Sequence, residues 1–167
     1  MSNETPELSQ HELEAQRRDK LRQLIEMGIN PYPHTFDVSH SSADAKQHQD
    51  AWLADKEQPE TAKRISLAGR MMTRRVMGKA SFFNLQDSEG TIQVYIRRDD
   101  VGVELYNKAF KKLIDLGDIV GVKGFLFMTR PGELTLHAEA FELLTKVIRP
   151  LPVAKEVEQD DGTKVTY

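Results

Sequence analysis

The sequence predicts a mainly β fold: a five-stranded barrel with one helix between its third and fourth strands, preceded by an N-terminal helical extension. Three observations predict it. Apolar residues recur with period two in five short runs between Ile65 and Phe141, and one run with helical spacing, Leu105 to Ile114, interrupts them after the third. Before Ile65 the chain is strongly charged, with apolar residues only at sparse helical intervals.

In the extension, Ser9 followed by Glu12 has the spacing of a capping box, and Leu8 and Leu13 stand where a hydrophobic staple would, so a helix starts there. Leu13, Leu21, Leu24 and Ile25 give it one narrow apolar face, and Gly28 ahead of Ile29, Asn30 and Pro31 stops it. The two prolines of NPYPHTF (30–36) impose an extended or turned path. A second helix is predicted from Ala43 to Lys56, opened by Ser41 or Ser42 and ended by Gln58 and Pro59.

From Ile65 the first strand alternates Ile65, Leu67 and Met71 with Ser66, Ala68 and Arg70. The second alternates Phe83 and Leu85 with Phe82, Asn84 and Gln86, and the third Ile92, Val94 and Ile96 with Gln93, Tyr95 and Arg97. The turn Asp87-Ser88-Glu89-Gly90 joins the last two as a hairpin. In the helix that follows, Leu105, Tyr106, Ala109, Phe110, Leu113 and Ile114 share a face, and Gly117 ends it. Two strands, 119–127 and 133–141, are then joined by Thr129-Arg130-Pro131-Gly132, with Gly121 and Gly124 permitting the coiling that barrel closure needs. Five short antiparallel strands with this one helix are the pattern of the OB-fold, which binds oligonucleotides on its strand 2 and 3 face. A split βαβ sandwich fits less well, since it needs two helices among its strands. The expected division is 1–62 as helical extension, 63–147 as OB-fold domain and 148–167 as a linker toward an absent domain, because no periodic pattern follows Arg149.

Bulk composition narrows the function. At 167 residues and 39% apolar content the chain can bury one core, and with no cysteine it can form neither a disulfide framework nor a thiolate site. No apolar run approaches the roughly 20 residues of a membrane span, and MSNETPELSQ lacks the basic and apolar regions of a secretory signal; a cytoplasmic protein without membrane partners is expected. The net charge of -3 is a sum over unlike parts: residues 1–62 hold six basic and twelve acidic side chains, whereas 63–86 hold six basic and no acidic ones. That positive stretch is either a solvated strand face or a footprint for an anionic partner.

Strand alternation sorts the two phenylalanines of ASFFNLQD (80–87). If Phe83 and Leu85 share the inner face with Ile92, Val94 and Ile96, then Phe82 and Asn84 lie outside with Gln93 and Tyr95. A bulge near Gly78 would reverse this and put Phe82 in the core. An exposed ring beside an amide, with Arg74 and Arg75 on the preceding strand, suits an unstacked base: the ring stacks, Gln93 reads an edge, and the arginines hold phosphate or carbonyl oxygens. Tyr95 reads equally as a member of this face or as packing under the helices. Glu133 is either a base-reading acceptor or a lone surface carboxylate.

Other chemistry lacks support. Met77-Gly78-Lys79-Ala80 misses the hydroxyl residue and the earlier glycine of a P-loop. The histidines, at 11, 34, 40, 48 and 137, lack ligand spacing, and the pair Asp99 and Asp100 is explained by a turn. No catalytic residue, metal site or cofactor is expected in this chain.

The stretches AGRMMTRRVMGKASFFNLQDSEGTIQVYIRRDD (68–100), DLGDIVGVKGFLF (115–127), LLTKVIRPLP (143–152) and GINPYP (28–33) resemble the N-terminal anticodon-binding domain of bacterial-type lysyl-tRNA synthetases, over nearly the whole chain. The resemblance implies that Phe82 stacks on the central anticodon uridine, that Gln93 contacts the same base, and that Arg74, Arg75 and Glu133 belong to the same pocket. It also implies a lysine tRNA partner and a homodimeric parent enzyme that uses ATP and magnesium in a C-terminal catalytic domain. No motif of that domain occurs here, so the chain alone is expected to be inactive. The alternatives are a protein-interaction or regulatory domain, suggested by the charged first helix, and single-strand RNA binding without base preference.

Overall fold

The computed structural model describes residues 8–32 and 36–149, together with the backbone of 156–158 and 164–166. Helix α1 (Gln10–Glu26) begins in the expected capping box: the Glu12 amide donates to the Ser9 hydroxyl at 3.3 Å and the Ser9 amide to the Glu12 carboxylate at 2.7 Å. It ends where Gly28 takes φ +78°, with the Gly28 and Ile29 amides donating to the carbonyls of Ile25 and Leu24. Only glycine enters that conformation without strain. The apolar face is narrower than expected, since Leu24 is buried but Ile25 is 58% exposed. Polar contacts complete the docking: Arg17 donates to the carbonyls of Val147 and Leu116 at 3.1 and 3.3 Å, and Lys20 to Asp115. The extended path expected for 30–36 lies partly outside the described residues.

The single helix expected over 43–56 is two short ones, α2 (Ser42–Gln47) and α3 (Gln49–Trp52), which meet at His48. Ser41 caps α2 in a second box with Asp44. The helical run stops early because its backbone is claimed by the barrel: Leu53 forms a bridge with Leu126, and the Ala54 amide donates to the Leu126 carbonyl at 2.8 Å. At the other end of α2, the Ser42 amide and hydroxyl both donate to Asp87 at 2.6 Å. Burial alone would raise the Asp87 pKa, but these bonds, with those from the Glu89 and Gly90 amides, hold it below the usual value.

The barrel consists of β1 (Ile65–Met77), β2 (Ala80–Asp87), β3 (Gly90–Arg97), β4 (Ile119–Met128) and β5 (Leu134–Thr145), closed in the order β1-β2-β3-β5-β4. The inward residues of the alternation, among them Leu67, Phe83, Leu85, Val94, Ile96, Leu126 and Leu136, are buried as expected. Closure departs from the all-antiparallel expectation in one place: β3 and β5 pair in parallel, Gln93 opposite Thr135 and Tyr95 opposite His137. These strands are joined by a helical crossover and an intervening strand, not by a hairpin, and only a long connection allows parallel neighbours. Gly124 sits at a register shift between β4 and β5, where a Cβ would lie 1.8 Å from the His137 carbonyl oxygen. Glycine is required by that close approach.

The crossover begins with a single turn, α4 (Arg98–Val101), and continues as a π-helix over Leu105–Leu113 in place of the expected α-helix. Its apolar pairs 105/106, 109/110 and 113/114 repeat every four residues. Tyr106, Ala109, Phe110, Leu113 and Ile114 are all buried against the barrel, and the Ile114 amide closes the wide turn on the Ala109 carbonyl at 3.0 Å.

Below the crossover lies a buried ionic cluster that sequence periodicity does not reveal. Lys146 Nζ lies 2.7 Å from both Asp115 Oδ2 and Asp118 Oδ2, and Lys20 of α1 pairs with the other Asp115 oxygen. Asp118 also accepts from the amides of Asp115 and Val147. Burial would raise the Asp115 pKa, yet the bonds from Lys146 and Lys20 outweigh it and lower the value. A depressed carboxylate pKa contributes stability that is complete above the unfolded value, about 3.9, and lost as pH falls through the folded value. Urea melts from pH 7 toward pH 3 are therefore expected to show a steeper acid loss for the wild type than for Asp115→Asn; parallel curves would show that this carboxylate carries none of the loss.

The stretch read as an unpatterned linker contains two short strands, β6 (Glu156–Glu158) and β7 (Lys164–Thr166), paired antiparallel with Val157 opposite Val165.

Candidate nucleic-acid interface

The β2–β3 hairpin puts Phe83 inside and Phe82 outside. Phe82 pairs with Tyr95 and Asn84 with Gln93 across the two strands, while Phe83 is 1% exposed in the core. Phe82 is half-buried, its ring centroid 4.9 Å from that of Tyr95. Tyr95 packs among Phe82, Phe127 and His137 on the outer sheet face, which settles the choice left open by its sequence position.

Arg74 and Arg75 part company. A register shift falls between Met71 and Thr73, and none lies near Gly78 among the described residues, so the alternative that would have put Phe82 in the core does not arise; Arg74 stands opposite Phe83 and Arg75 opposite Phe82. Arg75 therefore shares the outer face, its guanidinium 5.6 Å from the Phe82 ring centroid, a cation–π contact. Arg74 turns inward, and its Nη1 donates to the carbonyls of Phe110 and Ile114 at 2.8 and 2.6 Å. Burial lowers its pKa while Asp115 and Asp118 push the other way; an arginine so placed remains charged. One arm of Arg74 is thus occupied in capping the π-helix.

Glu133 is placed by the turn before β5. The Gly132 amide donates to the Thr129 carbonyl at 2.9 Å with φ +91° at Gly132, and the Glu133 amide donates to the Thr129 hydroxyl at 3.0 Å. This brings Glu133 to the mouth of a shallow depression of about 310 Å³ lined also by Arg74, Arg75, Phe82, Asn84 and Gln93. All five residues singled out from the sequence border one concavity, which combines an aromatic face, guanidinium and amide donors and a carboxylate acceptor.

Residues 65–144, nearly the whole barrel, match the tRNA_anti-codon family model, described as an OB-fold nucleic acid binding domain. The barrel is an OB-fold domain, similar over these residues to that family. The chain is 45% identical over 150 residues to a lysine–tRNA ligase of Porphyromonas gingivalis strain W83, a match covering 87% of this chain and 25% of that protein. It is 50% identical over 142 residues to the lysine–tRNA ligase of Enterobacter sp. strain 638, covering 81% and 26%. The chain thus spans about a quarter of the length of these curated relatives.

Within this OB-fold domain, the outer face is organised as two rows running across the strands. One is aromatic: Phe82, Tyr95, His137 and Phe125 stand opposite one another on β2, β3, β5 and β4. The other is mainly polar: Asn84, Gln93 and Thr135, ending at Phe127. His137 is held by Asp100, 2.7 Å from its Nε2, and Asp100 in turn accepts two bonds from Arg97. The bonds from Arg97 first, and that from His137, hold the Asp100 pKa below its usual value against the opposing effect of burial. Sequence reasoning did not single out Thr135 or His137. Their positions follow from the parallel β3–β5 pairing, which has no local sequence signal.

Proposed function

We propose that this chain binds the anticodon loop of lysine tRNA, splaying out its uridines and reading them in the depression beside Phe82, as the tRNA-binding part of a lysine–tRNA ligase. ATP-dependent, magnesium-assisted lysylation, and the homodimer expected of such a ligase, belong to the portion of the relatives that this chain does not span. The observation that carries the reading is the meeting of Phe82, Gln93, Arg75 and Glu133 around one concavity. The matches to two lysine–tRNA ligases support the choice of tRNA.

The ring of Phe82 offers a stacking platform, Gln93 and Glu133 supply directional hydrogen bonds to a base edge, and Arg75 is free to follow phosphate oxygens. Arg74 contributes by holding the π-helix against β1 and presents the rest of its guanidinium to the rim. Stacking is worth about 1–3 kcal/mol per base, so Phe82→Ala is expected to weaken binding of a lysine anticodon stem-loop by about 5- to 150-fold. Fluorescence anisotropy titration checks this. Equal affinities for the two proteins, or equal binding of a loop whose uridines are replaced, would sink the base-reading claim. Binding should also weaken with salt as phosphate contacts release counterions.

A further inference from the structure

We propose that Thr135 is a positioning residue that sets which end of the Gln93 amide faces a bound base, so that the depression selects a pyrimidine with a carbonyl, not an amino group, at position 4. The inference rests on the anticodon-loop reading above and specifies how its central contact discriminates.

Thr135 lies on the outer face of β5, between Gln93 of β3 and Phe127 of β4, and is fully buried there. It cannot touch a ligand itself. Its Oγ1 lies 3.2 Å from Gln93 Oε1 and 3.2 Å from the Glu133 carbonyl oxygen. The hydroxyl has one proton to give. The Glu133 carbonyl already accepts from the Thr129 amide at 3.1 Å and the Thr129 hydroxyl at 3.3 Å, which occupies its two lone pairs. The Thr135 proton therefore goes to Gln93 Oε1, and the orientation of the amide follows from that bond. With Oε1 turned to Thr135, the Nε2 group is left to donate into the depression that Gln93 lines.

The Glu133 carboxylate, at the same depression, accepts only. A fixed donor beside a fixed acceptor matches the O4 carbonyl and N3–H of uridine. Cytidine presents the reverse, an N4 amino donor and an N3 acceptor, so both contacts become unfavourable. The discrimination depends on the amide being held. Removing the Thr135 hydroxyl frees it to rotate and offer Oε1 to cytidine.

The test uses this chain and two anticodon stem-loops that differ only in uridine or cytidine at the central position. The wild type is expected to prefer the uridine loop. Thr135→Val, and independently Thr135→Ala, should reduce the ratio of affinities about tenfold, the worth of one hydrogen bond. Thr135→Ser should keep the wild-type ratio. A hydroxyl-free variant that retains that ratio while still folded, or Thr135→Ser behaving like Thr135→Val, overturns the role of Thr135 and leaves the anticodon reading standing. A wild type that binds both loops equally overturns the reading of uridine itself and this inference with it.

Discussion

Lys146→Met is expected to lower folding stability by about 3–5 kcal/mol, because it removes one member of a buried ion cluster and leaves the Asp118 carboxylate without its paired cation. The Lys146 ammonium has no solvent-exposed surface and bridges Asp115 and Asp118, themselves largely and fully buried. Lys20 still balances Asp115, but Asp118 keeps only the amides of Asp115 and Val147. The cluster joins α1, the end of the π-helix and the end of β5, so its loss loosens the N-terminal helix from the barrel as well as the barrel itself. Urea titration at neutral pH measures the effect. In the Lys146→Met background, Asp118→Asn is expected to recover part of the loss, since the orphaned charge is gone while an acceptor for the Val147 amide remains. A loss below about 1 kcal/mol for Lys146→Met would mean that solvent screens the cluster, and would refute the buried-pair account.

Phe83→Ala is expected to cost about 3–5 kcal/mol of stability, as large-to-small changes of buried aromatics do. The Phe83 ring packs 5.8 Å from Phe110 and 6.1 Å from Phe141, centroid to centroid, at the meeting of β2, the π-helix and β5. Its neighbour behaves oppositely. Phe82→Ala loses chiefly the pairing with Tyr95, about 1 kcal/mol, and spends its effect on RNA binding. Thermal and chemical melts of the two variants, beside stem-loop titrations at a temperature where both are folded, separate the roles. If Phe82→Ala were the more destabilising, the assignment of faces across the hairpin would be wrong.

Much of this was readable along the chain. Ser9 and Glu12 announce the start of α1, and the alternation through Phe83, Leu85, Ile92 and Val94 assigns the faces of β2 and β3, because these patterns express local sterics and hydrogen bonding. The position of Phe82 follows from them. Arg74 does not, because its direction depends on a register shift three residues before it, where two backbones, not one, set the geometry. The stop after Trp52 is similar: helical propensity continues past it, but the Leu126 backbone takes the hydrogen bond that a longer helix would need.

By itself, the sequence determined the order of the elements, the inward and outward faces of the hairpin, and the residue types proposed to meet an RNA base. Only the tertiary structure decided that Glu133 would stand beside Gln93, that Thr135 would hold the Gln93 amide, and that Lys146 would be buried between two aspartates. Each of these depends on β5 lying parallel to β3 or on α1 docking below the crossover. Contacts of that kind join residues far apart in the chain, and barrel closure sets their register, for which no local periodicity exists.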